Sequence, residues 1–248
     1  MVAAKSKRER KRHVQRELVW HGGKRKGAGR KPVGPRAGAS HKKRPEVKAD
    51  QALHVVLRVV AAVGGMRRRN IYKAIRAASI TAARRGWFRI VHISIQQTHV
   101  HLLVEAENKL ALARGMSGFQ ISAARNINTV LGGERGQRRC GRVFVDRYHL
   151  VVITSPTQAR HALSYVLNNW RKHREDCSPA TRGWKLDWFS SAAMFPGWRE
   201  HHDDKALCEV HRDYEPLVVV PPGSWLLREG WERAGTISVR EVPSKRAA

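Results

Sequence analysis

The order of hydrophobic patterns between residues 52 and 175 constrains the fold more than any other feature of the sequence. Runs of apolar and β-branched residues predict strands, and apolar residues spaced three and four apart predict helices. In chain order these segments predict strand, helix, strand, strand, helix, strand and helix, with approximate bounds 53–60, 66–85, 87–95, 97–104, 110–130, 142–153 and 155–173. The first six have the order of a split βαβ unit, so we expect an α+β fold, a ferredoxin-like antiparallel sheet with helices on one face.

Both flanks of this region differ from it in composition. Residues 1–50 contain 17 Lys and Arg but four Asp and Glu, with many Gly and Pro, which predicts a basic, mostly disordered DNA-binding arm. Residues 176–248 lose the helical spacing and contain five of the eight Trp, which predicts an irregular Trp-rich extension with an edge strand near 218–220. Its aromatic rings either pack the extension onto the domain at 51–175 or stack on unpaired bases.

Charge and cysteine content restrict the partners and the setting. A formal net charge of +28 and a pI near 11.3 indicate a polyanionic partner, of which nucleic acid is the commonest. The longest apolar stretch, 53–63, is interrupted by His54 and Arg58 and is too short to span a membrane. Three widely spaced Cys without a Cys-x-x-Cys pair argue against disulfides and a structural zinc site, and no secretory signal is evident, so we expect a reduced, cytoplasmic setting.

Basic clusters are the candidate contacts to DNA. Arg30 and Lys31 belong to a stretch that loosely resembles an AT-hook, and a nonspecific phosphate-binding arm is the alternative interpretation. A second cluster opens the first predicted helix, where positive charge opposes the helix dipole; a phosphate contact or a solvated basic face would each explain it. A third cluster occupies a predicted basic loop. The second and third clusters comprise Arg67, Arg68 and Arg69, and Arg135, Arg138 and Arg139.

Two histidines in the third predicted strand are candidate metal ligands. His99 and His101 flank one apolar residue, and alternate side chains of a strand share a face. One metal ion could therefore bind both imidazoles. Two imidazoles hydrogen-bonded at the edge of a core are the equally weighted alternative.

The last predicted helix carries the residues that favour the metal hypothesis. Ser155 and Pro156 are typical of a helix start. Tyr165 and Asn169, four residues apart, meet on one face near Lys172, which is a further candidate contact to DNA. A tyrosine hydroxyl can attack a phosphodiester when a divalent cation withdraws charge from the phosphate. Two imidazoles and an amide oxygen would leave coordination positions on Mg²⁺ or Mn²⁺ open for substrate.

Two weaker interpretations accompany this one. Tyr165 could be a half-buried packing residue with its hydroxyl in water. Tyr148 is the rival nucleophile, although it lies in a strand-like segment without an amide four residues later. We assign His54, His149 and His161 structural or DNA-facing roles.

These residues resemble a known family over about residues 52–175. His99-Val100-His101 followed by Leu-Leu-Val, the stretch 141–153, and Tyr165-Val166-Leu167-Asn168-Asn169 are similar to the single-tyrosine HUH transposases, especially the REP-associated tyrosine transposases. The resemblance implies that His99 and His101 bind the metal, that Tyr165 is the nucleophile and that Asn169 is the third ligand. It also implies cleavage of single-stranded DNA beside a hairpin, with a 5′-phosphotyrosine and a free 3′-hydroxyl, followed by rejoining.

By the same resemblance, the partner is single-stranded or hairpin DNA, the cofactor is divalent Mg or Mn, and the protein works at a prokaryotic nucleoid. The choice between one chain and two, the use of Tyr165 in its own or a neighbouring metal site, and the target hairpin stay open. A catalytically silent DNA- or RNA-binding protein on the same scaffold is one alternative function. A metal-dependent phosphodiesterase that uses activated water is another.

Overall fold

A computed structural model describes residues 44–132, 137–145, 147–210 and 214–243. The chain divides into two units, Met1–Gly38 and Ala39–Ala248, and every described residue lies in the second. The predicted arm up to residue 43 therefore lies outside the described residues, and so do Arg30, Lys31 and Arg135. Val47 is buried and Lys48 forms a bridge with Asn108, so packing begins a few residues before the predicted start near 52.

The described strands form one antiparallel sheet in the order β2-β3-β1-β4. This order and the helices between the strands confirm the predicted ferredoxin-like α+β fold. The elements in chain order are β1 Ala52–Arg58, α1 Arg69–Ala83, β2 Phe88–Ile95, β3 His99–Ala106, α2 Lys109–Val130, β4 His149–Ile153, α3 Pro156–Lys172 and the short α4 Trp225–Arg228.

Alternating side chains of the sheet face two separate hydrophobic cores. Leu53, Val55 and Leu57 of β1 pack with α1 and α2 in the first core. Ala52 and Leu103 point the other way and pack with α3 in the second core. The predicted placement of helices on one face thus applies to α1 and α2, whereas α3 covers the opposite face, because its apolar stripe packs on the side chains of opposite parity.

Local sequence explains where the two longest helices begin. The Asn108 side chain caps α2 by accepting hydrogen bonds from the amides of Leu110 and Ala111. Ser155 caps α3 by accepting from the amide of Gln158, and Pro156 occupies the first turn, as expected. The predicted α2 stripe is buried except for its last member, Val130, which is 37% exposed because the helix ends there.

The fourth strand is shorter than predicted. The segment 142–153 contributes five strand residues, and before them Phe144 forms a single bridge with Val59. In the loop before β4, the side chains of Arg139 and Arg142 donate hydrogen bonds to backbone carbonyls. The chain approaches the sheet once at Phe144 and pairs continuously only from His149.

The extension covers the second core and the outer edge of β2. Ile95 donates to the carbonyl of Phe189, Ser191 donates to that of Ile93, and Val220 donates to that of Ile90. These bonds pair backbone groups that an edge strand would otherwise expose. The predicted strand at 218–220 is an extended segment with one such bond and lies outside the named strands.

Two further features concern the whole described chain. All three cysteines are free thiols. Across the described residues, the helices are too short or too polar to cross a membrane.

Candidate functional site

Antiparallel pairing of β1 with β3 brings three histidines to one face of the sheet. Val56 lies opposite His101, and Arg58 lies opposite His99. Because alternate residues of a strand share a face, His54 joins this pair on the side covered by α3. The ring centroids of His99 and His101 are 4.6 Å apart. The predicted pair of imidazoles therefore lies on a central strand, with a third imidazole from β1 beside it.

Hydrogen bonds engage all three of these imidazoles. His54 Nε2 and His101 Nδ1 are 3.1 Å apart, and both residues are 3% exposed. His99 Nδ1 is 3.1 Å from the Thr98 hydroxyl. In each ligand candidate the Nδ1 atom is therefore engaged, which leaves Nε2 for another group.

Helix α3 carries Tyr165 and Asn169 to the same place. The Tyr165 ring centroid is 5.2 Å from that of His101 and 5.8 Å from that of His54, with edge-to-face geometry. Tyr165 is 8% exposed, and Asn169, one turn further, is fully buried. Tyr165 therefore lies against the histidines, and Asn169, four residues later in the same helix, is buried.

The last turn of α3 adds two basic groups. Lys172 Nζ lies 4.4 Å from the centroid of the Tyr165 ring. His173, the C-terminal cap of α3, has its ring centroid 5.7 Å from that of His99. Sequence reasoning treated His173 as the end of a helix and missed it, although it lies one helical turn after Asn169 on the same face.

The extension holds α3 from its other side. Arg160 and Ser164 both bond to the carboxylate of Glu241. The Asn168 amide donates to the carbonyl of Ser238 at 2.9 Å. These contacts fix the rotation of the helix about its axis, and that rotation aims Tyr165 and Asn169 at the sheet.

Burial controls the protonation of the site. It lowers the pKa of His99 to about 4, with smaller contributions from His173 and Arg58. It also places the pKa of His101 well below its usual value and raises that of Tyr165. At neutral pH both imidazoles are therefore neutral, which is the form that binds a metal ion.

Unpartnered buried atoms test whether these residues fit a divalent metal. His101 Nε2 and both amide atoms of Asn169 lack hydrogen-bond partners, as does Gln96 Oε1 across the strand pair from His99. Buried polar atoms without partners are rare and call for a ligand. Within the described ranges no cluster of three or more His, Cys, Asp or Glu could hold a metal ion. The fitting donor set is two imidazoles and one carboxamide, which suits Mn²⁺ or Mg²⁺ with open positions.

The predicted DNA-contacting cluster at the start of α1 separates into different roles. The Arg67 side chain is 4% exposed and forms two hydrogen bonds to the fully buried carboxylate of Asp187. Arg67 is therefore a buried ion-pair partner and not the DNA contact that its sequence neighbours predicted. Arg68 bonds to the carbonyls of Val63 and Gly65, and Arg69 is exposed.

The predicted basic loop is partly anchored. Arg139 donates to the side-chain oxygen of Asn128 near the end of α2, and Arg138 is exposed. The rival nucleophile Tyr148 lies elsewhere, since its ring packs against the first core and under the guanidinium of Arg44, 3.4 Å from its centroid. His149 and His161 are exposed.

The site combines paired histidines of a ferredoxin-like sheet with a helical tyrosine on a strongly basic chain. Residues 48–169 match the family model described as "Transposase IS200 like". Through this segment the chain belongs to the IS200-like transposase family, whose members act on DNA.

Two other comparisons complete this result. Among solved structures, the chain is similar to one described as "Structure of the REP associates tyrosine transposase bound to a REP hairpin". The TM-score is 0.41 and the identity 17%, over 74% of this chain and 93% of that one. A search of curated proteins found no significant match.

Proposed function

We propose that this protein is a metal-dependent endonuclease and strand transferase for single-stranded DNA, with hairpin-flanked sites as substrate. In this proposal Tyr165 is the nucleophile, and His99, His101 and Asn169 hold a divalent Mg or Mn ion. The ion, when bound, supplies Lewis-acid withdrawal of charge from the phosphate. The catalytic domain is the segment 51–175.

The observation that carries the proposal is the contact between Tyr165 and His101, a ligand candidate with an unpartnered ring nitrogen. The Tyr165 ring lies edge-on against His101, 5.2 Å between centroids. His101 Nε2 from β3 and Asn169 Oδ1 from α3 are both buried without partners. An unsatisfied buried polar group destabilises a protein by about 1–3 kcal/mol, so a ligand that bonds to these atoms would recover that free energy.

The proposed reaction balances in bonds and protons. The phenolic oxygen of Tyr165 loses its proton and bonds to phosphorus, while the bond from phosphorus to the 3′-oxygen breaks. The leaving oxygen takes up a proton, which gives a free 3′-hydroxyl and a 5′-phosphotyrosine. Lys172, whose ammonium lies over the ring, favours the phenolate that burial otherwise disfavours. Because the phosphotyrosine is itself a phosphodiester, a 3′-hydroxyl can reverse the step and rejoin strands.

The DNA path we propose uses the exposed basic residues. Arg69, Arg138 and the arm at 1–50 supply phosphate contacts, so binding weakens steeply as salt rises. Arg30, Lys31 and Arg135, which lie outside the described residues, stay predicted phosphate contacts.

The adduct is the direct test of the nucleophile. We expect the full chain with Mn²⁺ and labelled single-stranded hairpin DNA to form a denaturation-resistant complex, and Tyr165→Phe to abolish it. Tyr148→Phe is the matched control, because Tyr148 lies against the first core, and it should form the adduct like wild type.

Each other outcome contradicts a defined part of the proposal. Equal adduct formation by Tyr165→Phe and wild type would show that another group attacks. Cleavage without attachment would indicate activated water as the nucleophile. Metal-independent hairpin binding, with no adduct under Mg²⁺ or Mn²⁺, would indicate a silent DNA-binding protein.

A further inference from the structure

His54 is a buried imidazole beside the candidate site that the proposed reaction does not use. It lies on β1, paired across the strands with Leu103, and is 3% exposed. Its Nε2 atom is 3.1 Å from His101 Nδ1, and the two rings are inclined by 24° with centroids 5.2 Å apart. Nearly coplanar rings at this separation meet edge to edge, as a hydrogen bond between ring nitrogens requires.

The hydrogen bond restricts the tautomer of His101. One proton lies between the two nitrogens, because a hydrogen bond between ring nitrogens needs one donor and one acceptor. If His101 Nδ1 carries it, His101 Nε2 is left with a lone pair. If His54 Nε2 carries it, the one N–H proton of His101 lies on its buried Nε2, which has no acceptor. The first arrangement is compatible with a ligand at Nε2, and the second would bury an unsatisfied donor.

We infer that His54 is a positioning residue that accepts the Nδ1 proton of His101 and thereby aims the His101 Nε2 lone pair at the metal position. This inference rests on the proposed function, since it assigns a partner to one of the proposed ligands. Metal-binding histidines generally donate their other ring N–H to an oriented acceptor, most often a carboxylate, carbonyl or water. Here the acceptor is a neutral imidazole.

The choice of an imidazole has a chemical consequence. A carboxylate acceptor would add negative charge beside the ligand and reduce the positive charge felt by a bound phosphate. A neutral acceptor orients His101 without that effect. The ring of His54 also packs edge-on against Tyr165, 5.8 Å between centroids, so one side chain borders both the ligand and the nucleophile.

A titration of the full chain with Mn²⁺ tests this role without relying on activity. The electron paramagnetic resonance signal of the free ion measures how much Mn²⁺ is bound. We expect His54→Leu to weaken Mn²⁺ binding by about 10- to 100-fold, the usual effect of losing such a partner. His54→Gln, whose amide oxygen can accept near the Nε2 position, should bind Mn²⁺ more tightly than the Leu variant. Hairpin DNA binding without metal should stay at the wild-type level in both.

His92→Leu is the matched control. His92 is another buried histidine of the sheet, but its Nδ1 atom bonds to the Ser191 hydroxyl and its ring packs on Phe195. Its loss should leave Mn²⁺ affinity unchanged. Circular dichroism checks folding, and His54→Phe replaces the Leu variant if the latter does not fold.

The outcomes separate the two proposals. If wild type does not bind Mn²⁺, or His101→Ala binds it equally well, the proposed metal site is wrong. If wild type binds Mn²⁺ and His101→Ala does not, while His54→Leu binds like wild type, the inference about His54 alone is overturned. Equal weakening by His92→Leu would also overturn it, because the effect would then follow from any lost buried histidine.

Discussion

At the scale of single residues, buried charges are paired while the candidate site keeps unpartnered atoms. Glu105, 3% exposed, accepts from the amides of Gly223 and Ser224 and from the Ser224 hydroxyl. Asp187 is paired with Arg67 in the same thorough way. By contrast His101 and Asn169 keep unpartnered atoms next to Tyr165. The two carboxylates hold the extension in place, whereas the unpartnered atoms of His101 and Asn169 are available to a ligand.

Because Arg67 and Asp187 form a buried ion pair, we expect a substitution of Arg67 to lower stability without changing DNA binding. Arg67→Gln removes the partner of a fully buried carboxylate, so we expect the free energy of unfolding to fall by about 3–5 kcal/mol. Urea denaturation measures this loss. Because Arg67 is enclosed, the salt dependence of DNA binding by the folded variant should equal that of wild type.

Arg69→Gln is the opposite case in the same cluster. Its exposed side chain lies in the first turn of α1, so its loss should change stability by less than about 0.5 kcal/mol. Its DNA affinity should fall, with a less steep dependence on salt, because one phosphate contact is lost. If Arg67→Gln instead stayed stable and bound DNA more weakly, Arg67 would be a DNA contact and not a structural ion-pair partner.

At the scale of elements, the sequence predicted the features that depend on residues close together in the chain. The Ser155-Pro156 start of α3 and the spacing of the α2 stripe are properties of one segment, and both are found. The extension was not predictable in detail, because Asp187 and Ser224 find their partners about 120 residues away. The shared face of Tyr165 and Asn169 followed from helical geometry, and the Tyr165 ring lies against His101.

Other parts of the site needed the sheet order. His54 lies on the same face as His101 because β1 and β3 are neighbours, and alternation within one strand cannot reveal this. Arg67 was expected to contact DNA because its sequence neighbours are basic. Its carboxylate partner comes from the extension, where the sequence has no periodicity to predict it.

The packing of α2 on β2 gives a prediction about two glycines. Gly115 and Gly118 lie three residues apart in α2, and a Cβ at Gly115 would be 2.2 Å from the Phe88 ring. Phe88 is fully buried and cannot move away, so Gly115→Ala should destabilise the protein by about 1–3 kcal/mol despite the better helix propensity of Ala. A Cβ at Gly118 would meet only the end of the flexible Arg85 side chain.

Gly118→Ala is therefore the matched variant, and it should be neutral or stabilising by up to about 1 kcal/mol, the helix propensity difference between Gly and Ala. Thermal unfolding of both variants measures the difference. Equal effects of the two substitutions would show that α2 does not approach β2 as closely as the structure indicates.

At the scale of the whole molecule, the sheet separates packing from chemistry. The first core, under α1 and α2, takes the apolar side chains Leu53, Val55 and Leu57 of β1. The other face buries His54, His92 and His101 beneath α3 and the extension. Because burial disfavours the charged imidazole, the folded state holds these histidines neutral, and its stability becomes linked to pH.

His92 allows this linkage to be measured away from the candidate metal site. Burial lowers its pKa from 6.5 to about 4, and its neighbours Ser191 and Phe195 carry no charge. Between these two values the unfolded chain binds a proton that the folded chain does not. Stability is therefore complete above pH 6.5 and falls as the pH decreases toward 4.

Urea denaturation of wild type and His92→Leu at pH 7 and pH 5, without added metal, isolates the contribution of His92. Each pKa unit corresponds to about 1.4 kcal/mol, so between these pH values wild type should lose about 2 kcal/mol more than the variant. The other buried histidines contribute equally to both proteins and cancel in the difference. An identical pH dependence of the two proteins would mean that His92 can be protonated in the folded state, and that the extension does not exclude water from this face of the sheet.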